Sequence, residues 1–126
     1  MKKEFMLYVR NTGNAKKTMP EDVHLAFVKK CEVYINKLKA DGNLVAAQPL
    51  ARDGFIITKN TNSWSKVPVE DSGLVNVGYY HITAEDMDEA VELAKGNPEF
   101  EYVPSASIEV KSIKQKEEKT DFVYPK

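Results

Sequence analysis

The chain lacks several features that mark particular classes of protein. It has one cysteine, Cys31, so it cannot form an internal disulfide, which favours a reducing compartment. Its formal net charge is −1, so no overall field attracts nucleic acid or anionic lipid. The first apolar run, Phe5 to Val9, is shorter than a signal peptide or a membrane span requires. We therefore expect a cytoplasmic protein that binds neither nucleic acid nor membranes.

Motifs for metal, phosphate and dinucleotide chemistry are also missing. The two histidines, His24 and His81, stand far apart and have no clustered carboxylate or cysteine at metal-ligand spacing. The chain contains no G-x-S-x-G motif, no phosphate-binding loop and no dinucleotide fingerprint. The sequence therefore predicts neither a metal site nor a cofactor.

The apolar pattern that is present predicts an α+β domain. Strands and helices alternate in the order βαββαβ, which is typical of a ferredoxin-like antiparallel sheet with two helices on one face. A Thr18-led capping signal opens the first helix, and Gly42 ends it; a Thr83-led signal opens the second, and Gly96-Asn97-Pro98 ends it. The strands are predicted at 5–9, 44–47, 74–82 and 106–113.

Two further segments accompany this domain, which we assign to residues 1–113. Between its halves, residues of about 54–69 resemble an inserted hairpin that turns at Asn60-Thr61-Asn62. Residues 114–126 form a charged C-terminal tail with an apolar end, Phe122 to Pro125. We expect this tail to be a mobile arm that docks its apolar end on a neighbour.

The two central strands predict self-association. Every residue from Phe5 to Val9 is apolar or aromatic. In the segment 74–82, strict alternation places Val75, Val77 and Tyr79 on one face, with Tyr80 and its neighbours on the other. A sheet covered by helices on one face only should have a polar second face. A second copy of the chain would cover the apolar one, and we therefore expect a homodimer.

Three segments resemble the YCII-related family, and within it the branch named for a D-G-P-F motif. They are His24-Leu25-Ala26-Phe27, Gly78-Tyr79-Tyr80 and Ser107-Ile108-Glu109-Val110-Lys111, and Lys66-Val67-Pro68-Val69 stands where the D-G-P-F motif would be. The resemblance extends over nearly all of residues 4 to 113. It implies a dimeric α+β barrel with an active site in which the helix-1 histidine, here His24, faces an aspartate. That aspartate aligns with Asn97, and nearby Glu99 and Glu101 are possible substitutes for its charge.

The topology supports the same pair of residues independently. The two helices of a βαββαβ sheet run in opposite directions, so the start of the first and the end of the second share one edge. His24 and Asn97 are therefore expected to be neighbours, as candidate catalytic residues, although a His24 that only hydrogen-bonds a loop is an alternative. Tyr79, Tyr80 and Arg10 are candidate substrate-binding residues, with a solvated strand end as the alternative for Arg10.

Three other residues have structural interpretations. Cys31 lies on the apolar stripe of the first helix and reads as core, and His81 reads as an interior histidine with its hydrogen bonds satisfied. Trp64 in the inserted hairpin either covers the pocket or packs on a partner subunit.

Two functions follow from these observations. In the first, the protein is a small metal-independent enzyme of lyase, isomerase or hydrolase type. His24, oriented by Asn97, acts as its general acid/base on a small, partly apolar organic molecule that is either neutral or anionic. In the second, it is a non-catalytic dimer that binds a small ligand or another protein.

Overall fold

The computed structural model describes residues 2–13, 15–69 and 73–125, in which the chain forms an α+β structure. Residues 1, 14, 70–72 and 126, which fall within the predicted domain and tail, lie outside the described residues. A four-stranded antiparallel sheet has the strand order β2-β5-β1-β6, and β3 and β4 form a separate two-stranded sheet. The strands are β1 (Lys3–Asn11), β2 (Leu44–Pro49), β3 (Phe55–Asn60), β4 (Ser63–Pro68), β5 (Val75–Ala84) and β6 (Ser107–Ser112). The helices are α1 (Ala15–Thr18), α2 (Glu21–Ala40), α3 (Met87–Lys95) and α4 (Glu99–Tyr102).

The core lies between one face of the four-stranded sheet and helices α2 and α3. Along β1 the side chains alternate, and Phe5, Leu7 and Val9 are buried against the helices. Helix α3 contributes Ala90 and Ala94, whose small side chains allow the helix to pack closely on the sheet. Burial of each large apolar side chain contributes roughly 1.5–3 kcal/mol, so this face determines how the sheet and helices pack.

A β-bulge in the middle of the sheet changes the side-chain alternation predicted for β5. The register between β1 and β5 shifts between Val9 and Arg10, leaving Val77 without a pairing partner in β1. As a result Val75 and Val77 join Tyr80 in the core cluster, instead of sharing a face with Tyr79. The predicted division of this strand between two apolar faces is therefore wrong.

The face away from the helices, here called the open face, is mixed in character and not uniformly apolar. Met6, Tyr8 and Arg10 of β1 are half-buried on it. It also includes His81, whose Nε2 lies 2.7 Å from Oε1 of the buried Glu4. Between Phe5 and Val9, β1 is therefore apolar on both faces as predicted, whereas the open face of β5 carries Tyr79 and His81 and not the valines.

Both predicted helix starts are displaced toward the C-terminus. Thr18 belongs to the short helix α1, and α2 begins at Glu21, after Pro20, with no side-chain cap. In α3 the cap is Asp86, which accepts a hydrogen bond from the Glu89 backbone N–H at 2.8 Å. Glu89 in turn accepts from the backbone N–H of Glu85, the residue before the cap, and the cap itself lies three residues beyond the predicted Thr83.

The two helix ends differ in a way that positions the site. Gly42 has φ of +76°, the left-handed conformation predicted for the end of α2. Gly96 has φ of −77°, so the chain does not reverse there. It continues through Asn97 and Pro98 into α4, a short helix that the sequence pattern did not predict. This turn buries Asn97 and Glu99 beneath the surface.

The hairpin of β3 and β4 is present as predicted, and all its side chains are exposed. The tail, by contrast, is not a free arm over residues 114–125. Lys116 pairs with Val123 in an antiparallel bridge, and the Gln115 side chain donates a hydrogen bond to Oε2 of Glu4. The tail is therefore attached to the edge of the open face.

Candidate functional site

A cavity of about 490 Å³ lies between helix α2 and the sheet. Helix α2 provides one wall, and the ends of β1, β2 and β5 provide the opposite wall. Apolar groups dominate its surface, with a few polar side chains converging on it, which is the usual composition of a small-molecule site. Its polar or reactive lining residues are Asn11, His24, Cys31, Glu32, Gln48, Arg52, Tyr80, Asn97 and Glu99.

His24 enters the cavity from the first turn of α2. Its backbone N–H donates a hydrogen bond to the carbonyl of Pro20 at 2.9 Å. His24 therefore lies where the hydrogen-bonded turns of α2 begin. Nδ1 of His24 is buried and has no hydrogen-bond partner among the residues that the structure describes. A buried polar atom without a partner costs free energy, so a group from outside the described chain is expected to satisfy it.

Asn97 lines the same cavity as His24 and is 4% exposed. Its Oδ1 accepts a hydrogen bond from the backbone N–H of Glu99 at 2.8 Å. The amide oxygen thereby caps the start of α4, which would otherwise leave a buried N–H unpaired. The structure brings the two predicted catalytic residues to one cavity.

Glu99 places a carboxylate in the same cavity as His24 and Asn97. Its side chain is buried, lines the cavity and accepts a hydrogen bond from Nδ2 of Asn11 at 3.1 Å. Oδ1 of Asn11 accepts in turn from Nη1 of Arg52 at 2.6 Å. These two hydrogen bonds connect the loop after β2, which carries Arg52, to the end of β1 and to helix α4.

Glu101, the other possible substitute, points away from the site. It forms an ion pair with Lys30 at 2.5 Å, and both side chains are more than half exposed. The hydrogen bond from Lys30 lowers the pKa of Glu101, and the same bond raises the pKa of Lys30. Of the two glutamates, only Glu99 is therefore placed to act on a ligand in the cavity.

Tyr80 provides a phenol in the cavity wall. Burial raises its pKa to about 12, with smaller contributions in the same direction from Cys31 and Glu99. A side-chain hydrogen bond from Asn97 acts in the opposite direction, as expected of a donor to the phenol oxygen. Tyr80 consequently stays protonated at neutral pH. The adjacent Tyr34 packs edge-on against it, but its hydroxyl donates to the Leu93 carbonyl.

Arg10 and Tyr79, two of the predicted substrate-binding residues, do not line the cavity. Strand alternation places them on the open face, whereas their neighbours Val9 and Tyr80 face α2. Nε of Arg10 is buried and has no hydrogen-bond partner within the described part of the chain. In the sheet Arg10 pairs with Asn76 and Ser107, neither of which lines the cavity. The prediction that Arg10 and Tyr79 bind substrate beside His24 is not supported by this placement.

For three remaining residues, the observed environment agrees with the predicted one to different degrees. His81 has a partner, Glu4, as predicted, although it lies on the open face. Trp64 is 71% exposed and outside the cavity, with Nζ of Lys59 5.3 Å from its ring centroid. Cys31, which the helical pattern placed in the core, is half-buried and lines the cavity.

Sequence reasoning did not identify Asn11 and Arg52 as site residues. Asn11 lies two residues beyond the predicted strand at 5–9, and the apolar pattern does not mark it because the strand extends further than the apolar run. Arg52 lies in the loop that leads to the hairpin, where an arginine is ordinarily solvated. Only the fold brings both to the edge of β1.

No family model matches the chain, and no curated protein matches it. Over residues 2–13, 15–69 and 73–125, no group of three or more His, Cys, Asp or Glu side chains is placed to hold a metal ion. Among the same residues, no helix combines the length and the apolarity that crossing a membrane would take.

Proposed function

We propose that the protein is a small enzyme that binds an organic molecule in the cavity beneath α2 and uses His24 as a general acid/base. The observation that supports this most is Nδ1 of His24, which is buried in an apolar cavity without a partner in the described chain. A ligand that enters would supply that partner. Proton transfer by one positioned imidazole typically accelerates a reaction by about 10²–10⁴.

The other polar groups of the cavity have supporting roles in this proposal. Tyr80 is a neutral hydrogen-bond donor, and Asn97 orients it. Arg52 and Asn11 hold the Glu99 carboxylate at the cavity wall. The reaction is of lyase, isomerase or hydrolase type, because one proton-transferring group is sufficient for each of these.

A second function, binding without catalysis, is favoured by the hydrogen bonds within the cavity. Arg52, Asn11 and Glu99 bond one another, so the polar groups across the cavity from α2 are already partly satisfied. A cavity of this kind would hold a ligand whether or not His24 transfers a proton.

The experiment that separates the two functions compares wild type with His24→Gln. Small esters, lactones and halogenated phenols are screened for turnover, and binding is followed separately by protection of Cys31 from alkylation. The enzyme proposal predicts that His24→Gln lowers turnover about 10²-fold or more while binding persists. Turnover that survives the substitution unchanged contradicts the assignment of His24, and protection without any turnover favours the binding function.

The proposal also includes family, assembly and location. The strand order β2-β5-β1-β6 within a βαββαβ chain supports a ferredoxin-like topology, and the His24 to Phe27 and Gly78 to Tyr80 segments support membership of the YCII-related family. We infer that two copies pair as a dimeric α+β barrel. The exposed apolar side chains of the hairpin support this assembly: Phe55, Ile57 and Trp64 are 58%, 65% and 71% exposed. The single cysteine favours the cytoplasm.

A further inference from the structure

Arg52 brings a guanidinium to the wall of the cavity. It lies in the loop between β2 and β3 and is half-buried, whereas both of its neighbours in sequence are exposed. Its Nη1 donates to Oδ1 of Asn11 at 2.6 Å, which is the one polar contact of this guanidinium with the residues that the structure describes. Asn11 is buried and is itself fixed through Nδ2, which donates to Oε2 of Glu99 at 3.1 Å. The cation is therefore held at the cavity by a neutral amide and not by a carboxylate.

A guanidinium held in this way keeps most of its capacity to bind an anion. It has five N–H donors in a planar fork that matches a carboxylate, and the bond to Asn11 uses one of them. The amide acceptor leaves the positive charge in place, and a charge that is partly withdrawn from water gains from a partner of opposite sign. Over residues 2–13, 15–69 and 73–125, no carboxylate forms an ion pair with Arg52. The anion that suits this guanidinium is therefore one that a ligand supplies.

Two carboxylates also line the cavity, but neither takes the place of that anion. Glu99 bonds the opposite end of the Asn11 amide from Arg52, so the amide separates the two charges. Glu32 is an exposed residue of α2, and water and salt screen its charge. Because the interaction between charges falls with distance, a carboxylate in contact with Arg52 is attracted by it more strongly than either glutamate repels it.

We propose that the cavity selects small carboxylic acids with an apolar body, and that Arg52 binds their carboxylate. This inference rests on the proposed function, because it takes the cavity as the ligand site. The rest of the wall suits an apolar body, since it includes Phe27, Ile35 and Val77. The inference decides between the neutral and the anionic molecule that the sequence left open. It also gives Arg52 the role that the sequence predicted for Arg10.

The test uses two probes of nearly the same shape, hydrocinnamate and hydrocinnamamide, whose head groups are a carboxylate and a neutral amide. Binding to ¹⁵N-labelled protein at neutral pH is measured from the amide shifts of Cys31 and Gly78 in the cavity walls. The guanidinium is observed directly, because the chain has only two arginines and therefore two Nε–H signals. Wild type should bind hydrocinnamate about tenfold more tightly than hydrocinnamamide. Hydrocinnamate should also move the Nε–H signal of Arg52 and leave that of Arg10 in place.

Three substitutions assign the preference to one arginine. Arg52→Gln removes the charge, so the two probes should bind equally while the affinity for hydrocinnamamide stays the same. Arg52→Lys keeps the charge without the planar fork and should retain part of the preference. Arg10→Gln removes the same charge from the open face and is the matched control, which should keep the whole preference. Far-ultraviolet circular dichroism of each variant, and unchanged binding of hydrocinnamamide, establish that the cavity is intact.

The outcomes separate this inference from the proposed function. Equal binding of the two probes by wild type overturns the role of Arg52 and leaves the cavity as a binding site. A preference that persists in Arg52→Gln, or that Arg10→Gln abolishes, also overturns it. If Arg52→Gln does not fold, the Nε–H signal of Arg52 in wild type decides, and a signal that hydrocinnamate does not move rejects the inference. Failure of both probes to shift Cys31 and Gly78 contradicts the ligand site itself, and the proposed function with it.

Discussion

Nδ2 of Asn11 donates a hydrogen bond to Oε2 of Glu99 across 88 residues of sequence, and both side chains are buried. The bond fastens the last residue of β1 to the short helix that follows α3. It also holds a carboxylate in the wall of a cavity that is otherwise mostly apolar. The geometry of the candidate site therefore depends on a contact that also contributes to the stability of the fold.

Replacing Asn11 should destabilise the protein measurably. Asn11→Ala removes a donor from the buried Glu99 carboxylate and the acceptor of the Arg52 guanidinium, so we expect the free energy of unfolding to fall by about 1–3 kcal/mol. Urea denaturation followed by circular dichroism measures the change. Asn36→Ala, at an exposed position of α2, is the matched control and should change the free energy by no more than about 0.5 kcal/mol. Equal effects of the two substitutions would show that the buried bond contributes nothing.

Stability should fall at high pH because of two buried tyrosines. Burial raises the pKa of Tyr80 to about 12 and raises the pKa of Tyr34 as well. Below pH 10 both residues are protonated in the folded and unfolded chain, so their contribution is constant. Above about pH 10 the unfolded chain ionises first, and the free energy of unfolding falls by about 1.4 kcal/mol per pH unit for each tyrosine until the pH passes its folded pKa.

The Tyr34→Phe/Tyr80→Phe variant isolates this effect from the other groups that titrate at high pH. Urea denaturation of the variant and of wild type at several pH values between 8 and about 12 compares their slopes. We expect a shallower decline in the variant, whatever its absolute stability. Parallel pH profiles would mean that the two hydroxyls ionise as readily in the folded chain as in the unfolded chain.

The tail should stabilise the open face through one side chain. Gln115→Ala removes the donor to Oε2 of the buried Glu4, and we expect a loss of about 1 kcal/mol in the free energy of unfolding. Glu118→Ala, an exposed tail substitution, is the control. In a Glu4→Gln background the effect of Gln115→Ala should shrink, and an undiminished effect would contradict the pairing.

The hairpin should contribute to self-association. Sedimentation at micromolar concentration should give a dimer for wild type, and Ile57→Ser/Trp64→Ser should weaken the dimer at least tenfold. Val33→Ser removes an apolar side chain that is 68% exposed on α2, and it should leave assembly unchanged. A wild-type protein that sediments only as a monomer would refute the proposed dimer.

Much of the secondary structure could be predicted from periodicity, but its register could not. The apolar run at Phe5 to Val9 and the cap at Gly42 have local causes, and both are where the pattern placed them. The bulge beside Val9 has no local signature, because valine suits either face of a strand. That single shift moved Val75 and Val77 into the core and changed the face that the pattern predicts for them in β5.

Some residues of the candidate site could likewise be predicted from the sequence, and others could not. His24 and Asn97 could be placed together because antiparallel helices bring those ends to one edge of the sheet. The sequence offered Glu99 and Glu101 equally as substitutes for the aspartate. Glu99 is buried only because α4 forms directly after Pro98, and the sequence pattern did not predict that helix. Arg52 could not be found, since its role arises from a hydrogen bond to a residue distant in sequence.

The most direct test of the central claim is to map where small apolar molecules bind. A mixture of neutral aromatic fragments is added to ¹⁵N-labelled protein, and amide chemical shifts are followed by NMR. If the cavity is the ligand site, we expect the largest amide shifts at His24, Cys31 and Gly78 in the cavity walls. Shifts centred on the outer groove around Val33 and Phe100, with the cavity amides unmoved, would contradict it.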